Sequence, residues 1–242
     1  MKKKLTHLGY LLLAVVLMHA CAAPKSVIRL EPDREDVKWL FGQSYVTDSL
    51  YGVVFEVAFD RAVQNQYWFD FNIINHSNMP ILIDPVNFTY MAYDSLNNRK
   101  LVQPLAAIDP EEQLMSIDKE LSRNDARAQN HLGISLVAAS VDIATGVATL
   151  SDDNPNNDYL RTNMYEEVQN EAIDNEIETQ NLNSMREEWS QGTIRKTTLG
   201  SNYSMQGKVF FKSYPTADYI KLFIPVDDSR LEIIFNQRHH RP

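Results

Sequence analysis

Cysteine is nearly absent from this chain. Cys21 is the one thiol in 242 residues, so no intrachain disulfide is possible and the apolar core must hold the fold unaided. The familiar catalytic signatures are missing too: no G-x-S-x-G elbow, no glycine-rich phosphate loop and no H-E-x-x-H. Histidine is sparse beyond the first twenty residues, at His76, His131, His239 and His240, and the last two alone would need recruited ligands to hold a metal. Basic residues are also in short supply, 23 against 32 acids. The resulting negative field repels nucleic acid and anionic lipid surfaces, which excludes nucleic acid as a partner. Disorder is not the default, since 44% hydrophobic and 23% charged residues are what an ordinary folded chain carries.

The most local signal lies at the start. Lys2, Lys3 and Lys4 precede a short apolar run, Tyr10 to Met18, too short and wrongly flanked for a spanning helix. Residues 1–20 therefore read as an export signal. Met18-His19-Ala20-Cys21 resembles a lipobox, with Met18 where Leu is usual and His19 where a small residue is usual. That resemblance implies acylation of Cys21 and cleavage before it. Ordinary signal peptidase cleavage near Ala20 or Ala22 is the competing reading. Ala22, in place of an aspartate, implies the outer membrane of a Gram-negative cell, and the absence of acids in Ala22–Ser26 favours the periplasmic side over the cell surface. Losing Lys2, Lys3 and Lys4 leaves 20 basic residues against 32 acids, a net charge of −12.

Two-residue alternation dominates the chain beyond the leader. Residues 21–44 read as a tether leading into a first strand or short helix, and Tyr51–Asp60 as a strand with Val53, Phe55, Val57 and Phe59 inward. In Tyr67–Tyr93, Phe69, Phe71 and Ile73 share one face; after a turn-rich Asn75–Pro80, Val86, Phe88, Tyr90 and Ala92 share another. Leu101–Leu105 should return as a hairpin partner, limited to an edge by Pro104. Strands are predicted again at Thr197–Leu199, Lys208–Phe211, Tyr219–Ile224 and Leu231–Phe235, before a loose basic tail, Arg238–Pro242.

Between the two strand blocks the period becomes helical. Asp109-Pro110-Glu111-Glu112 is a strong helix start, with a capping aspartate, proline in the first turn and acids by the exposed amides. The run Leu132–Leu150 is apolar nearly all round; its glycines and Asp142 favour a helix packed inside the protein over a membrane hairpin. After a polar break at Ser151–Asp158, a second helix is predicted over Tyr159–Trp189. From Asp158 to Glu188 it carries nine acids against Arg161 and Arg186. Such a density reads either as a solvated face or as a docking surface, with Glu166, Glu167, Glu171 and Asp174 as docking candidates. Asp152, Asn154, Asn156 and Asp158 follow the alternate-residue rhythm of a calcium loop, although Asn157 stands where glycine is needed and Asn163 where a bidentate glutamate is needed.

The layout predicts a mainly β domain over residues 45–242, an immunoglobulin-like β-sandwich carrying a two-helix hairpin inserted at about 109–191. Phe71–Pro85, FNIINHSNMPILIDP, and Thr197–Phe211, TTLGSNYSMQGKVFF, resemble uncharacterised immunoglobulin-like lipoprotein domains of Gram-negative bacteria. That resemblance covers about half the chain and implies a fold and an exported interaction module, without an activity to carry over. The expectation is a lipid-anchored, non-enzymatic binding or scaffold protein with an envelope protein partner, no cofactor and no identified small-molecule substrate. The alternative is a calcium or ligand binder, or a hydrolase, with a site assembled from scattered acids and histidine.

Overall fold

The computed structural model describes residues 27–240, leaving out 64, 97 and 149–154; along 131–148 and 155–168 it describes the helical backbone alone. Alternation builds two antiparallel sheets. The first runs in the order β11 (Ser204–Lys212), β5 (Gln66–Asn75), β4 (Val53–Val63), β3 (Gln43–Leu50), β2 (Val37–Leu40). The second runs β1 (Val27–Pro32), β13 (Ser229–His240), β12 (Tyr219–Val226), β7 (Thr89–Asp94), with β8 (Arg99–Lys100) and β9 (Leu105–Ala106) sharing the far edge of β7. A two-stranded ribbon joins β6 (Ile81–Ile83) to β10 (Thr197–Leu199).

The inward residues of both sheets meet in one core. Phe69 lies edge-on to Phe235 with ring centroids 5.2 Å apart, and Tyr90 meets Phe211 at 5.6 Å and 90°. β4, β5 and β11 stand in the order of the A, B and E strands of an immunoglobulin sandwich, and β7, β12 and β13 in the order of C, F and G. The chain is thus an immunoglobulin-like β-sandwich. Two helices, α1 (Pro110–Ala148) and α2 (Pro155–Gln191), enter between the C-like and E-like strands, where a D strand would run.

Both stretches that carry the family resemblance come together at one residue. Asn75 ends β5 fully buried. Its Nδ2 donates to the carbonyls of Met79 (2.9 Å), Leu199 (3.0 Å) and Gly200 (3.1 Å), and its Oδ1 accepts from the Ser77 N–H and hydroxyl. Its backbone bonds Tyr203 and Asn202. One asparagine side chain therefore clasps the turn after β5 to the turn after β10, satisfying backbone groups that no ladder reaches.

Several boundaries differ from expectation. Residues 27–44, expected as tether, form β1, β2 and the start of β3. Of the expected loose tail, Arg238, His239 and His240 end β13 and pair with Arg29, Ile28 and Val27, while residues 241 and 242 lie outside the described residues. β1 and the end of β13 are too polar to read as buried from sequence, and their pairing with each other orders both. Val86 is exposed in a 3-10 turn, Pro85–Asn87, so β7 begins only at Thr89. The returning hairpin partner is split into β8 and β9 around Pro104, which has no N–H to give a ladder. The second helix starts at Pro155 rather than Tyr159, with proline in the first turn. Among the described residues no helix is long and apolar enough to cross a membrane.

Candidate functional site

The outer face of the first sheet is divided between an apolar seat and an open polar cleft. The seat holds the root of the helices. Phe210 of β11 lies 4.2 Å from Trp189 of α2 and 5.0 Å from Trp68 of β5, ring centroid to centroid, and Ile117 of α1 is buried beside them. Leu114, Leu121, Leu182 and Met185 complete this cluster. Backbone bonds stitch both legs to β11: Ile108 N–H donates to the Phe210 carbonyl entering α1, and Lys208 N–H donates to the Gly192 carbonyl leaving α2. Gly207 permits that approach, since a Cβ there would sit 3.0 Å from Ile194 N and 3.1 Å from the Gly192 carbonyl. Asp109 caps α1 by accepting the Glu111 N–H at 2.9 Å. Arg195, just past α2, grips the Glu111 carboxylate at 2.5 and 2.8 Å.

From this root the two helices run antiparallel. Asn124 of α1 is buried against α2, donating to the Asn175 carbonyl and the Thr179 hydroxyl, while Arg186 pairs with Asp118 and Arg127 with Glu178. Such a buried polar contact fixes the register of two helices. At 1.5 Å per residue, roughly 40 Å of α1 lies beyond Leu121, the outermost of its described residues in the seat.

Where the seat ends, the cleft begins. It encloses about 450 Å³ between the β2–β3 hairpin tip, with Leu40 and Phe41, and the end of α2, with Gln191 and Gly192. Its floor is polar because the outward positions of β3, β4, β5 and β11 are polar there. Sheet register places Lys208 beside Asp70, and Asp70 beside the small, fully buried Ala58. A bulge in β4 between Phe59 and Arg61 leaves Asp60 unpaired and re-aims its carboxylate. The Lys208 ammonium then donates to Asp60 at 2.7 Å and to Asp70 at 2.9 Å. Gln43 Nε2 donates to the same two carboxylates at 3.2 and 2.8 Å, and its Oε1 accepts from the Tyr45 hydroxyl at 3.0 Å. One strand row further on, Asn72 donates to Glu56 at 2.7 Å.

The charges tune one another. Burial alone would lower the Lys208 ammonium, but bonds to Asp60 and Asp70 outweigh it and raise the group above the ordinary lysine value. Burial would raise Asp60, whose carboxyl is 11% exposed; Lys208 and Arg61 reverse the sign and hold it below the usual carboxylate range. Burial and the Asp70 charge push the Tyr45 phenol up. Lys208 and Asp60 therefore stay ionised around neutrality, with amides at the rim.

The residues singled out from sequence are placed elsewhere. Glu171 and Asp174 are exposed on α2; Glu166 and Glu167 lie on its backbone upstream, their side chains outside the described residues. Cys21, Asp152 and Asn154 also lie outside them, and Asn156 and Asp158 fall within the first turn of α2. His76 sits in the turn after β5, its N–H on the Gly52 carbonyl. Among the described residues no three His, Cys, Asp or Glu side chains gather as a metal site. The cleft residues were missed because Gln43, Asp70 and Lys208 meet only through strand pairing. One local signal was available: Phe41-Gly42 between the short segments Val37–Leu40 and Gln43–Leu50 marks a hairpin tip with an aromatic on it. No family model matches the chain, and no curated protein or solved structure matches it.

Proposed function

We propose that this chain is an exported, lipid-anchored envelope protein that works as a non-enzymatic protein-binding module, with the helical hairpin as its docking arm. One observation carries the reading. The hairpin is held at its root by a dedicated aromatic seat, and its helices continue far past that seat with a strongly acidic second leg. Helix pairing needs an apolar stripe and a register pin, which Asn124 supplies. It does not need nine acids over Asp158–Glu188 against two arginines, since close like charges each cost a few tenths of a kcal/mol. A basic partner surface offsets that repulsion and gains in encounter rate. Anchorage through Cys21 on the periplasmic side of the outer membrane fits an arm that reaches from the membrane to a second envelope protein.

The test is neutralisation. Replacing Glu166, Glu167 and Glu171 by Gln and Asp174 by Asn should leave folding intact and weaken recovery of a basic partner from envelope extracts, most clearly at low salt. Unchanged recovery with a raised melting temperature would make the acids a solvated face.

A further inference from the structure

The polar cleft stands apart from the long reach of the hairpin and has a chemistry of its own. We infer that the cleft between the β2–β3 hairpin tip and the end of α2 is a binding site for a neutral saccharide, with the Phe41 ring as its stacking platform.

Phe41 is the first observation. It is 90% exposed and has φ 51°, followed by Gly42 at φ 79°. A two-residue hairpin turn with both φ values positive favours Asn-Gly or Asp-Gly, and a bulky side chain there is strained. The same chain shows how that strain is ordinarily offset. Tyr51-Gly52 has the same pair of φ signs, and there the tyrosine hydroxyl bonds Ser229 Oγ at 2.7 Å. Phe41 has no polar group with which to do so and is left in solvent beside the cleft. Strain without packing in return marks a residue kept for another contact.

The second observation is the hydrogen-bonding balance of the floor. Lys208 uses two of its three N–H groups, on Asp60 and Asp70. Asn72 donates to Glu56, and its Oδ1 has no partner among the described residues; the Gln206 and Gln191 amides have none either. Carboxylates, a donor-bearing ammonium and solvent-facing amides without a protein partner thus face the same volume, which lies within the roughly 300–1,000 Å³ range of small-ligand sites. Glu56, Asp60 and Asp70 are paired by Lys38, Arg61 and Lys208, so the floor carries no net charge to select an anion or a cation. A neutral polyhydroxyl ligand suits such a floor. Its hydroxyls donate to carboxylate and amide oxygens, accept from Lys208 and Gln206, and its C–H face lies on an aromatic ring.

The full chain is tested on an array of neutral glycans, with titration of any retained disaccharide and a Lys-Arg-Lys peptide as the cationic competitor. Retention of at least one neutral glycan is expected. Gln206→Ala, which removes no internal bond, and Phe41→Asn should each weaken it, the latter by roughly tenfold. Because asparagine suits the turn, Phe41→Asn should at the same time raise the melting temperature by a few degrees, separating lost binding from lost folding. No glycan retained, binding of the basic peptide alone, or affinity unchanged in both variants would each overturn the assignment.

Discussion

Replacing Asn75 by alanine is expected to remove about 4 kcal/mol of folding stability. The figure comes from the geometry of the clasp. The two Nδ2 hydrogens serve three carbonyls at 2.9–3.1 Å, and Oδ1 accepts from the Ser77 N–H at 3.0 Å and its hydroxyl at 2.6 Å. That amounts to about four full bonds at about 1 kcal/mol each. The bond to Leu199 is fully buried, so its carbonyl would lose its partner where water does not reach. For a domain of this size the loss corresponds to about 8–16 °C in melting temperature. Asn75→Asp separates the roles of the two ends. It keeps an acceptor for Ser77 but sets a carboxylate against three carbonyl oxygens, so at neutral pH it should be less stable than the alanine variant. Its carboxyl pKa would be raised in the folded state above the ordinary ~3.9, so stability should return as pH falls towards 4. Denaturant titration followed by strand circular dichroism measures both variants. A loss below about 1 kcal/mol for Asn75→Ala, or an Asn75→Asp protein more stable than Asn75→Ala at pH 7, would refute the clasp.

Two further outcomes are expected. Cells fed an alkyne fatty acid should label the wild-type chain and leave Cys21→Ser unlabelled; equal labelling would rule out the anchor. Asp60→Asn should cost about 2 kcal/mol near pH 7, because a charged partner of Lys208 is lost. Asp60 titrates lower folded than unfolded, so its stabilisation is present above pH ~4 and fades as pH falls through its depressed value, where wild type and variant should converge in melting temperature. A difference that does not shrink as pH falls below ~4 would mean that the carboxylate charge is not what stabilises.

What the sequence reveals depends on how far the cause lies from the residue. In β5, Phe69, Phe71 and Ile73 alternate with polar neighbours, and that period alone places them inside. Asp109-Pro110 likewise announces α1 from four consecutive residues, and the capping bond to Glu111 is the one expected of it. Trp68 shows the limit. It lies on the outward face of its strand, which reads as solvent side, and only the arrival of Trp189 and Ile117 from the helices makes that face a seat. The end of β13 is harder still, since Arg238–His240 gain order from Val27–Arg29 at the other end of the chain. The cleft combines both difficulties. Its lysine, its carboxylates and Gln43 come from four strands, and the Asp60 bulge that turns one carboxylate inward leaves no mark in the local pattern.

The most direct test of the docking arm places a photo-crosslinking amino acid in the living envelope. Benzoylphenylalanine at Asp174, exposed on α2, is compared with the same residue at Thr47, exposed on β3 of the sandwich. Irradiation should yield a discrete higher-mass adduct from the Asp174 position that is lost when Glu166, Glu167 and Glu171 are changed to Gln, with no such adduct from Thr47. Adducts from Thr47 alone, or an Asp174 adduct indifferent to the three substitutions, would contradict the claim that the acidic hairpin is where this protein meets its partner.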